Sequence, residues 1–332
     1  MIPTMAELPP LTFTPILKER IWGGRRLSET FDKPLPDKVP IGESWEITDR
    51  PEGVSVVADG PLAGKDLRWL MTHHGKALLG HDPAPGERFP WLIKLLDCTD
   101  DLSLQVHPPA HKAAALRGEP KTEMWYFADT RPGSRIYVGL RNGVTQEEFA
   151  RRIAEGTVAD CFHAHDTHPG DAMFVPSGRV HALGGGNLVF EIQQNSDTTY
   201  RVFDWNRVGL DGKPRDLHLE ASMASIDFDD FEPGLINSHG RSETHWKIRE
   251  LVRHPLFHID ELHSPKGGAI PDPRRPGTPG VIGVVRGQLT VSGAGETVSV
   301  PAGGFVLLAA SLSTATINVH PDAILLSVTP GA

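Results

Sequence analysis

The sequence contains only two cysteines in 332 residues, Cys98 and Cys161. A disulfide framework is therefore not predicted, and each thiol is expected to be a small buried side chain. No apolar run is long enough to cross a bilayer, and the N-terminal sequence MIPTMAELPPLTF lacks the basic and apolar segments of a secretion signal. These absences favour a cytoplasmic protein with no membrane partner.

The sequence also has fewer basic than acidic residues, with 33 lysines and arginines against 42 aspartates and glutamates, and its formal net charge is −9. Such a balance opposes nonspecific attraction to nucleic acid, which needs a concentrated basic surface. A small anionic substrate remains compatible with it, because a few cations that converge locally are enough to bind a phosphate. Lys94, Lys121 and Arg201 flank the motifs described next, so a phosphate would fit there, and no nucleic-acid partner is expected.

Two short segments with strand patterning carry side chains that can hold a divalent metal. In Leu102–His107 apolar and polar residues alternate, which places Gln105 and His107 on the same face of a strand. Glu123 opens a second, aromatic-rich run, and His181 follows a Pro-Ser-Gly turn. A mixed set of nitrogen and oxygen ligands suits zinc, manganese, iron and nickel alike. A metal held by four protein ligands or fewer also keeps a coordination position open for water or a substrate.

His181 completes the pattern Gly, five residues, Pro, one residue, Gly, two residues, His across Gly170–His181, which resembles the second metal motif of the cupins. Joined to Leu102–His107, Lys121–Tyr126 and Glu191–Trp205, it resembles a type I mannose-6-phosphate isomerase of the short bacterial form. The resemblance spans about two thirds of the chain. It implies a mainly β fold made of two cupin-type jelly-roll β-barrels with a few short helices.

We expect two domains. Residues 1–235 are predicted to form the catalytic metal-binding cupin domain with helical insertions, including a helix over Leu67–Leu79. Residues 236–332 are predicted to form a smaller, degenerate cupin-like β-barrel, because short strand-like segments recur there between turns. No histidine follows the turn at Val300–Ala310, so this second barrel is predicted to lack a metal. Oligomeric state is expected to be monomer or weak homodimer.

The resemblance also implies a reaction, the interconversion of mannose 6-phosphate and fructose 6-phosphate by proton transfer between C1 and C2 through an enediol(ate). It implies one zinc ion per chain, although the ligand set alone excludes no other divalent metal. Arg201 matches the family's catalytic arginine, and Lys121 matches a family lysine assigned either to proton transfer or to phosphate binding. The alternative makes Arg201 a structural partner of Asp197 or Asp204.

Two residues are candidates to bind the phosphate. Lys94 interrupts a nearly continuous apolar strand, and a buried lysine needs an anion. The family resemblance favours the substrate phosphate, whereas the alternative is an ion pair with Asp97 or another carboxylate. Ser103 is the second candidate, because it shares a strand face with Gln105 and His107.

Three further residues match family positions near the sugar. Trp22 belongs to an IWGG segment that resembles the family's N-terminal motif, and Asp197 matches an acid close to the sugar. Glu43 matches a third position, with a solvent-facing strand glutamate as the alternative. The chain departs from the long-form enzymes at Pro120, where those enzymes carry a histidine, so any ring-opening role of that histidine falls to another group here or to none.

His163, His165 and His168 form a separate cluster in a loop-like stretch. An H-x-H pair on a strand is a common ligand arrangement, but these residues rank below His107 and His181 and are expected to be solvated.

Two functions of another class remain open on the sequence alone. A metal-dependent cupin oxygenase could use the same metal ligands without needing the surrounding cations. A noncatalytic sugar-phosphate-binding protein would keep those cations but lose a member of the catalytic set.

Overall fold

The computed structural model describes residues 7–243 and 246–331. The chain divides into two compact units. The central unit contains Leu17–Ser44 and Trp91–Asn237, and the terminal unit contains the described residues up to Ile16, Trp45–Pro90 and those from Ser238 onward. Each candidate site residue from the sequence falls in the central unit.

The terminal unit contains more of the chain than the C-terminal domain expected at residues 236–332. The chain leaves the central unit between residues 237 and 238, close to the expected boundary, but the described residues up to Ile16 and Trp45–Pro90 also belong to the terminal unit. Leu11 N donates to Leu307 O at 2.9 Å, and Ala310 N donates to Leu78 O at 3.0 Å. Local patterns cannot reveal such an assignment, because it depends on which distant segment completes the backbone hydrogen bonds.

Two β-sheets build the central unit. The six-stranded sheet has the order Ala172–Val175, Glu123–Thr130, Asn187–Gln194, Trp91–Asp97, Ile41–Ile47, Ile16–Gly24. The five-stranded sheet has the order Phe162–Asp166, Arg135–Leu140, His181–Leu183, Leu104–Val106, Tyr200–Phe203. Trp125 and Val189 from the first sheet pack in one buried cluster with Ile136 and Leu183 from the second. The core therefore lies between the inner faces of the sheets, as in a double-sheet β fold.

Helices are few and short, and their ends follow from the sequence. In the helix Gln146–Glu155, the side chain of Thr145 accepts a hydrogen bond from Glu148 N at 3.2 Å, and Gly156 ends the helix with a φ of 72°. This is an N-cap followed by a left-handed C-terminal glycine. The other helices are Arg26–Phe31, Leu67–Leu79, Ala110–Ala113, Leu219–Ser225 and a single 3-10 turn, Val158–Cys161.

The terminal unit also contains two larger sheets. One has the order Arg241–Ser242, Lys247–His254, Phe257–Ser264, Ala323–Thr329, Gly280–Arg286, Phe305–Leu308, and the other Gly268–Ile270, Thr316–Val319, Gln288–Gly293, Glu296–Pro301. Phe13–Thr14 pairs with Val56–Val57, and Asp49–Arg50 pairs with Gly53–Val54. The prediction of a mainly β protein with a few short helices is confirmed. No helix among the described residues combines the length and the apolar character needed to span a membrane.

Candidate metal centre and substrate cavity

Strand register brings distant polar residues into one row across the five-stranded sheet. Gln105 lies opposite both His181 and Arg201 on the neighbouring strands. Paired residues of antiparallel strands point to the same face, so the three side chains share a face, and His107 follows two residues after Gln105. Glu123 begins a strand of the other sheet. The fold therefore joins motifs that are far apart in sequence.

His107, Glu123 and His181 form a compact, fully buried cluster. One possible ligand atom from each lies within 4.8 Å of the others, and among the residues the structure describes this is the single such group of three. Glu123 Oε1 lies 3.4 Å from His181 Nε2 and 3.7 Å from His107 Nε2. The amide nitrogen of Gln105 lies 3.2 Å from His181 Nε2. Rotation of this amide by half a turn would present its oxygen to the cluster.

Both imidazoles are oriented by backbone carbonyls. His107 Nδ1 donates to Thr198 O at 2.8 Å, and His181 Nδ1 donates to Arg179 O at 2.9 Å. Because a carbonyl can only accept, each Nε2 is left with a lone pair directed at the cluster. Burial lowers the pKa of His107 below its usual range. Burial, with the neighbouring His107, lowers the pKa of His181 to about 3. Both rings are therefore neutral and able to bind a metal near pH 7.

Glu123 is ionised despite its burial. Burial by itself would raise the pKa of this carboxyl, but the charge of Lys121 and contact with His107 hold the pKa well below its usual range. Lys121 Nζ lies 2.8 Å from Glu123 Oε2. Glu123 Oε1 and His107 Nε2 are buried and have no hydrogen-bond partner. Leaving such atoms unsatisfied costs about 1–3 kcal/mol each, so the donor set fits a divalent cation that would satisfy both.

A cavity of about 580 Å³ opens beside this cluster, a size suited to a small ligand. Gln105 and Lys121 line the cavity and also contact the cluster, so they connect the two. Each of the other residues predicted to be catalytic or substrate-binding also lines it: Trp22, Glu43, Lys94, Ser103, Asp197 and Arg201. The sequence motifs therefore converge on one site.

Comparison with known proteins agrees with this arrangement. A family model for the type I phosphomannose isomerase catalytic domain matches residues 11–150. The mannose-6-phosphate isomerase ManA of Bacillus subtilis (strain 168) is 43 % identical over 250 residues, which cover 75 % of this chain and 76 % of that protein. The chain belongs to the type I phosphomannose isomerase family. The resemblance drawn from the sequence is thus confirmed.

Solved structures support the same family assignment. The crystal structure of the mannose 6-phosphate isomerase from Bacillus subtilis superimposes with a TM-score of 0.86 at 30 % identity, covering 97 % of this chain and 99 % of that one. A mannose 6-phosphate isomerase solved with zinc bound shares the fold at a TM-score of 0.75 and 15 % identity, covering 97 % of this chain and 100 % of that one. The fold of this phosphomannose isomerase family member is therefore that of a known cupin-type group.

Lys94 of this family member has carboxylate partners. Its Nζ lies 3.2 Å from Glu191 Oε2 and 3.5 Å from Asp197 Oδ1. Burial would lower the pKa of Lys94, but Glu191 and other nearby carboxylates raise it overall. Asp97, the partner considered from the sequence, instead accepts from the backbone nitrogen of Arg26 at 2.8 Å. An ion pair therefore forms at Lys94, with carboxylates other than Asp97.

Glu191 is a cavity residue that the sequence analysis did not select. It lies opposite Lys94 on the adjacent strand, and Trp125 Nε1 donates to its Oε1 at 3.2 Å. Burial raises the pKa of this carboxyl above its usual range, although Lys121 and Lys94 act in the opposite direction. The sequence does carry a signal for Glu191, because a carboxylate stands in the middle of the largely apolar run Leu188–Gln194. It matches Lys94, which stands in the middle of a similar apolar run.

The guanidinium of Arg201 has a hydrogen-bond partner at one nitrogen and none at another. Its Nη1 donates to Asp216 O at 2.8 Å, while its Nε is buried without a hydrogen-bond partner. Burial and the nearby charge of Arg215 lower the pKa of Arg201. Asp204, one of the structural partners considered from the sequence, instead accepts from Arg215 Nε at 2.7 Å and from Arg207 Nε at 3.2 Å.

The remaining predicted residues form the wall of the cavity. Glu43 is only 8 % exposed and accepts a hydrogen bond from Arg20 Nε at 2.7 Å, so it does not face solvent. Trp22 is buried, and Ser103 Oγ donates to Gln105 Oε1 at 3.3 Å. Arg20, in the segment just before the IWGG motif, was not selected from the sequence, where nothing distinguishes it from a surface charge.

Proposed function

We propose that the chain is a metal-dependent aldose–ketose isomerase that interconverts mannose 6-phosphate and fructose 6-phosphate. The observation that carries the proposal is the buried cluster of two neutral imidazoles and an ionised carboxylate beside a cavity lined by cations. The names of the relatives agree with this activity. Gln105, His107, Glu123 and His181 would hold the ion, and zinc is the proposed identity. When bound, such an ion stabilises negative charge that develops on substrate oxygens.

Arg201 is assigned to the transition state of the isomerisation. Proton transfer between C1 and C2 passes through an enediol(ate), whose adjacent oxygens carry increasing negative charge. Arg201 lines the cavity and carries a planar set of donors, of which the buried Nε has no hydrogen-bond partner. Donors fixed before the reaction stabilise developing charge without having to reorganise. The hydrogen bond to the carbonyl of Asp216 supplies that fixation.

Proton transfer is assigned to Glu191, with Lys121 as its neighbour in the cavity. A general base works best when its pKa lies near the working pH, and burial shifts the pKa of Glu191 in that direction. Its carboxylate would remove the proton from one carbon and return it to the next. Lys121 contacts Glu123 and lines the cavity, so it would hold that ligand in place and donate to a substrate oxygen.

Binding of the sugar phosphate is assigned to the cavity wall. Ser103 offers a hydroxyl, and Trp22, Glu43 and Asp197 are placed to contact the sugar. Lys94 was the other phosphate candidate, but its ammonium group already has Glu191 and Asp197 close by. We therefore assign Lys94 mainly to holding the catalytic carboxyl, with a smaller contribution to phosphate binding.

A coupled assay on mannose 6-phosphate tests the proposal. The purified protein should form fructose 6-phosphate, lose the activity on treatment with a chelator, and recover it when zinc is returned. Activity that survives complete metal removal would contradict the metal-dependent assignment. Oxygen consumption without isomerisation would favour the cupin oxygenase, and binding of the sugar phosphate without turnover would favour a noncatalytic binding protein.

A further inference from the structure

A second pair of histidines contacts each other away from the candidate metal centre. His163 and His165 lie on Phe162–Asp166, which is an edge strand of the five-stranded sheet. Alternate residues of a strand point to the same face, and the two Nε2 atoms are 3.2 Å apart. The rings are nearly perpendicular, with an interplanar angle of 88°. Both side chains are half-buried, so the expectation of solvated histidines does not describe them.

A backbone oxygen provides a third donor to this pair. His165 Nε2 lies 2.7 Å from Pro233 O. Since a carbonyl cannot donate, the proton on His165 Nε2 points at Pro233 O. His165 Nε2 therefore has two possible metal-binding atoms close to it, Pro233 O at 2.7 Å and His163 Nε2 at 3.2 Å. Two nitrogens bound to a tetrahedral zinc-sized ion at about 2.0–2.1 Å are about 3.3 Å apart, which is close to the separation of the two imidazole nitrogens.

The surroundings of the pair keep His163 in the neutral form that can bind a metal. Burial and the neighbouring His165 lower the pKa of His163, the carboxylate of Glu232 partly opposes this shift, and the guanidinium of Arg141 adds to it. His163 is therefore a neutral imidazole near pH 7. His168, the third histidine of the sequence cluster, is 76 % exposed and lies 3.5 Å from Asp171 instead. It therefore takes no part in the pair.

We propose that His163 Nε2, His165 Nε2 and the carbonyl oxygen of Pro233 form a second, weaker site for a divalent transition metal such as nickel, copper or zinc. Binding would place the ion about 2.0–2.1 Å from each imidazole nitrogen, in the direction in which the proton of His165 Nε2 now points. The carbonyl of Pro233 would have to move back from its present 2.7 Å contact with His165 Nε2 to become a ligand. The proton of His165 would move from Nε2 to Nδ1 of the same ring, so at neutral pH no proton is released overall. Three donors, one of them a neutral carbonyl, predict a weaker site than the four-ligand set at His107, Glu123 and His181. Copper should bind more tightly than nickel, and nickel more tightly than cobalt.

Calorimetric titration of nickel into the zinc-loaded protein tests this site. We expect one equivalent of nickel per chain to bind without release of zinc, which is followed by metal analysis of the dialysed protein. His163→Gln and His165→Gln should each weaken this binding by about tenfold or more, because each removes an imidazole donor. The matched control is His168→Gln, which changes a nearby histidine outside the pair and should bind nickel like the wild type.

Several results would overturn the proposal. These are no nickel bound by the zinc-loaded protein, nickel bound only as zinc is released, unchanged affinity in both His163→Gln and His165→Gln, or an equal loss of affinity in His168→Gln. Circular dichroism and the coupled assay check that each variant is folded, and His163→Asn serves as a second variant if glutamine disturbs the strand. Nickel should also raise the thermal midpoint of the wild type but not of His163→Gln, because a ligand of the folded state stabilises it. Binding is read directly, so failure of the proposed isomerase activity would leave this test intact.

Discussion

Replacing Arg201 by lysine is the most informative change in the cavity, because it keeps the charge and removes the planar set of donors. The arginine donates from Nη1 to Asp216 O at 2.8 Å while its buried Nε has no hydrogen-bond partner. A lysine has one nitrogen, which can satisfy the carbonyl of Asp216 or reach a substrate oxygen, but is poorly placed to do both. The substitution should therefore remove a donor used in the transition state while it leaves the fold intact.

The expected magnitude follows from that single lost donor. Loss of one preorganised donor to a developing oxyanion costs about 2.7–4 kcal/mol, or about 10²- to 10³-fold in turnover. We expect kcat of Arg201→Lys to fall by about 10²-fold or more in the coupled assay, with KM changed by less than about threefold. Metal content and the thermal midpoint should stay close to those of the wild type, because Arg201 is not among the candidate ligands.

Arg215→Lys is the matched control for this experiment. Arg215 lines the same cavity, but its guanidinium is already bound to Asp204, with Nε 2.7 Å from Oδ2. Its conversion to lysine should lower kcat far less than the change at Arg201. Turnover of Arg201→Lys within a factor of about three of the wild type would refute the assignment, since that is under about 1 kcal/mol in barrier height. A lower thermal midpoint with normal kcat would instead make Arg201 a structural residue.

Four further predictions concern the metal, the buried ion pair, the proton carrier and acid stability. His181→Ala should weaken metal binding by about 10²-fold or more, read by competition with a chelator, and unchanged affinity would exclude it as a ligand. Lys94→Ala should lower the free energy of unfolding by up to about 3–5 kcal/mol in denaturant titrations, because Glu191 stays buried with Lys121 as its remaining nearby cation; weaker substrate binding with normal stability would favour the phosphate role. Glu191→Gln should lower kcat by about 10²-fold or more without loss of metal, and near-normal turnover would remove it as the base. In the metal-free protein His181 has a pKa of about 3 against about 6.5 unfolded, so the unfolded chain binds the proton first. The contribution of His181 to stability should fall as pH drops from about 6.5 toward 3, by up to about 1.4 kcal/mol per pH unit, and His181→Gln should make the measured slope shallower, while His107 and Glu123, whose pKa values are also lowered, maintain the rest of it.

The closeness of His107, Glu123 and His181 was predictable because the signals for it are local. Alternation in Leu102–His107 placed Gln105 and His107 on one face, and the turn before His181 marked the end of a strand. Each of these patterns depends on a few adjacent residues and on strand periodicity. What sequence could not supply is the register, which sets His181 opposite Gln105 and brings Glu123 close by from the other sheet.

Partner identity was the harder problem, as Lys94 illustrates. Burial of a lysine requires an anion, which the sequence indicated, but it did not indicate which one. Asp97 is close to Lys94 in sequence but accepts a hydrogen bond from the backbone nitrogen of Arg26. Glu191 is distant in sequence and lies directly opposite Lys94 on the adjacent strand. Opposite charges at the centres of two apolar strands are therefore a signal of pairing, since each charge compensates the burial of the other.

The charges around the cavity indicate how an acidic protein would accommodate the proposed phosphorylated sugar. Five lysine and arginine side chains and five carboxylate side chains line the cavity, and Glu123 of the adjacent cluster adds one more negative charge. Without a cation in the cluster, the formal balance is therefore negative and opposes a phosphate. A divalent ion in the cluster would make the formal balance positive. Arg201 and Arg215 also line the cavity and would add their positive charges to the field that a phosphate meets. The overall charge of −9 is then compatible with an anionic substrate, because binding depends on the local field and not on the net charge of the chain.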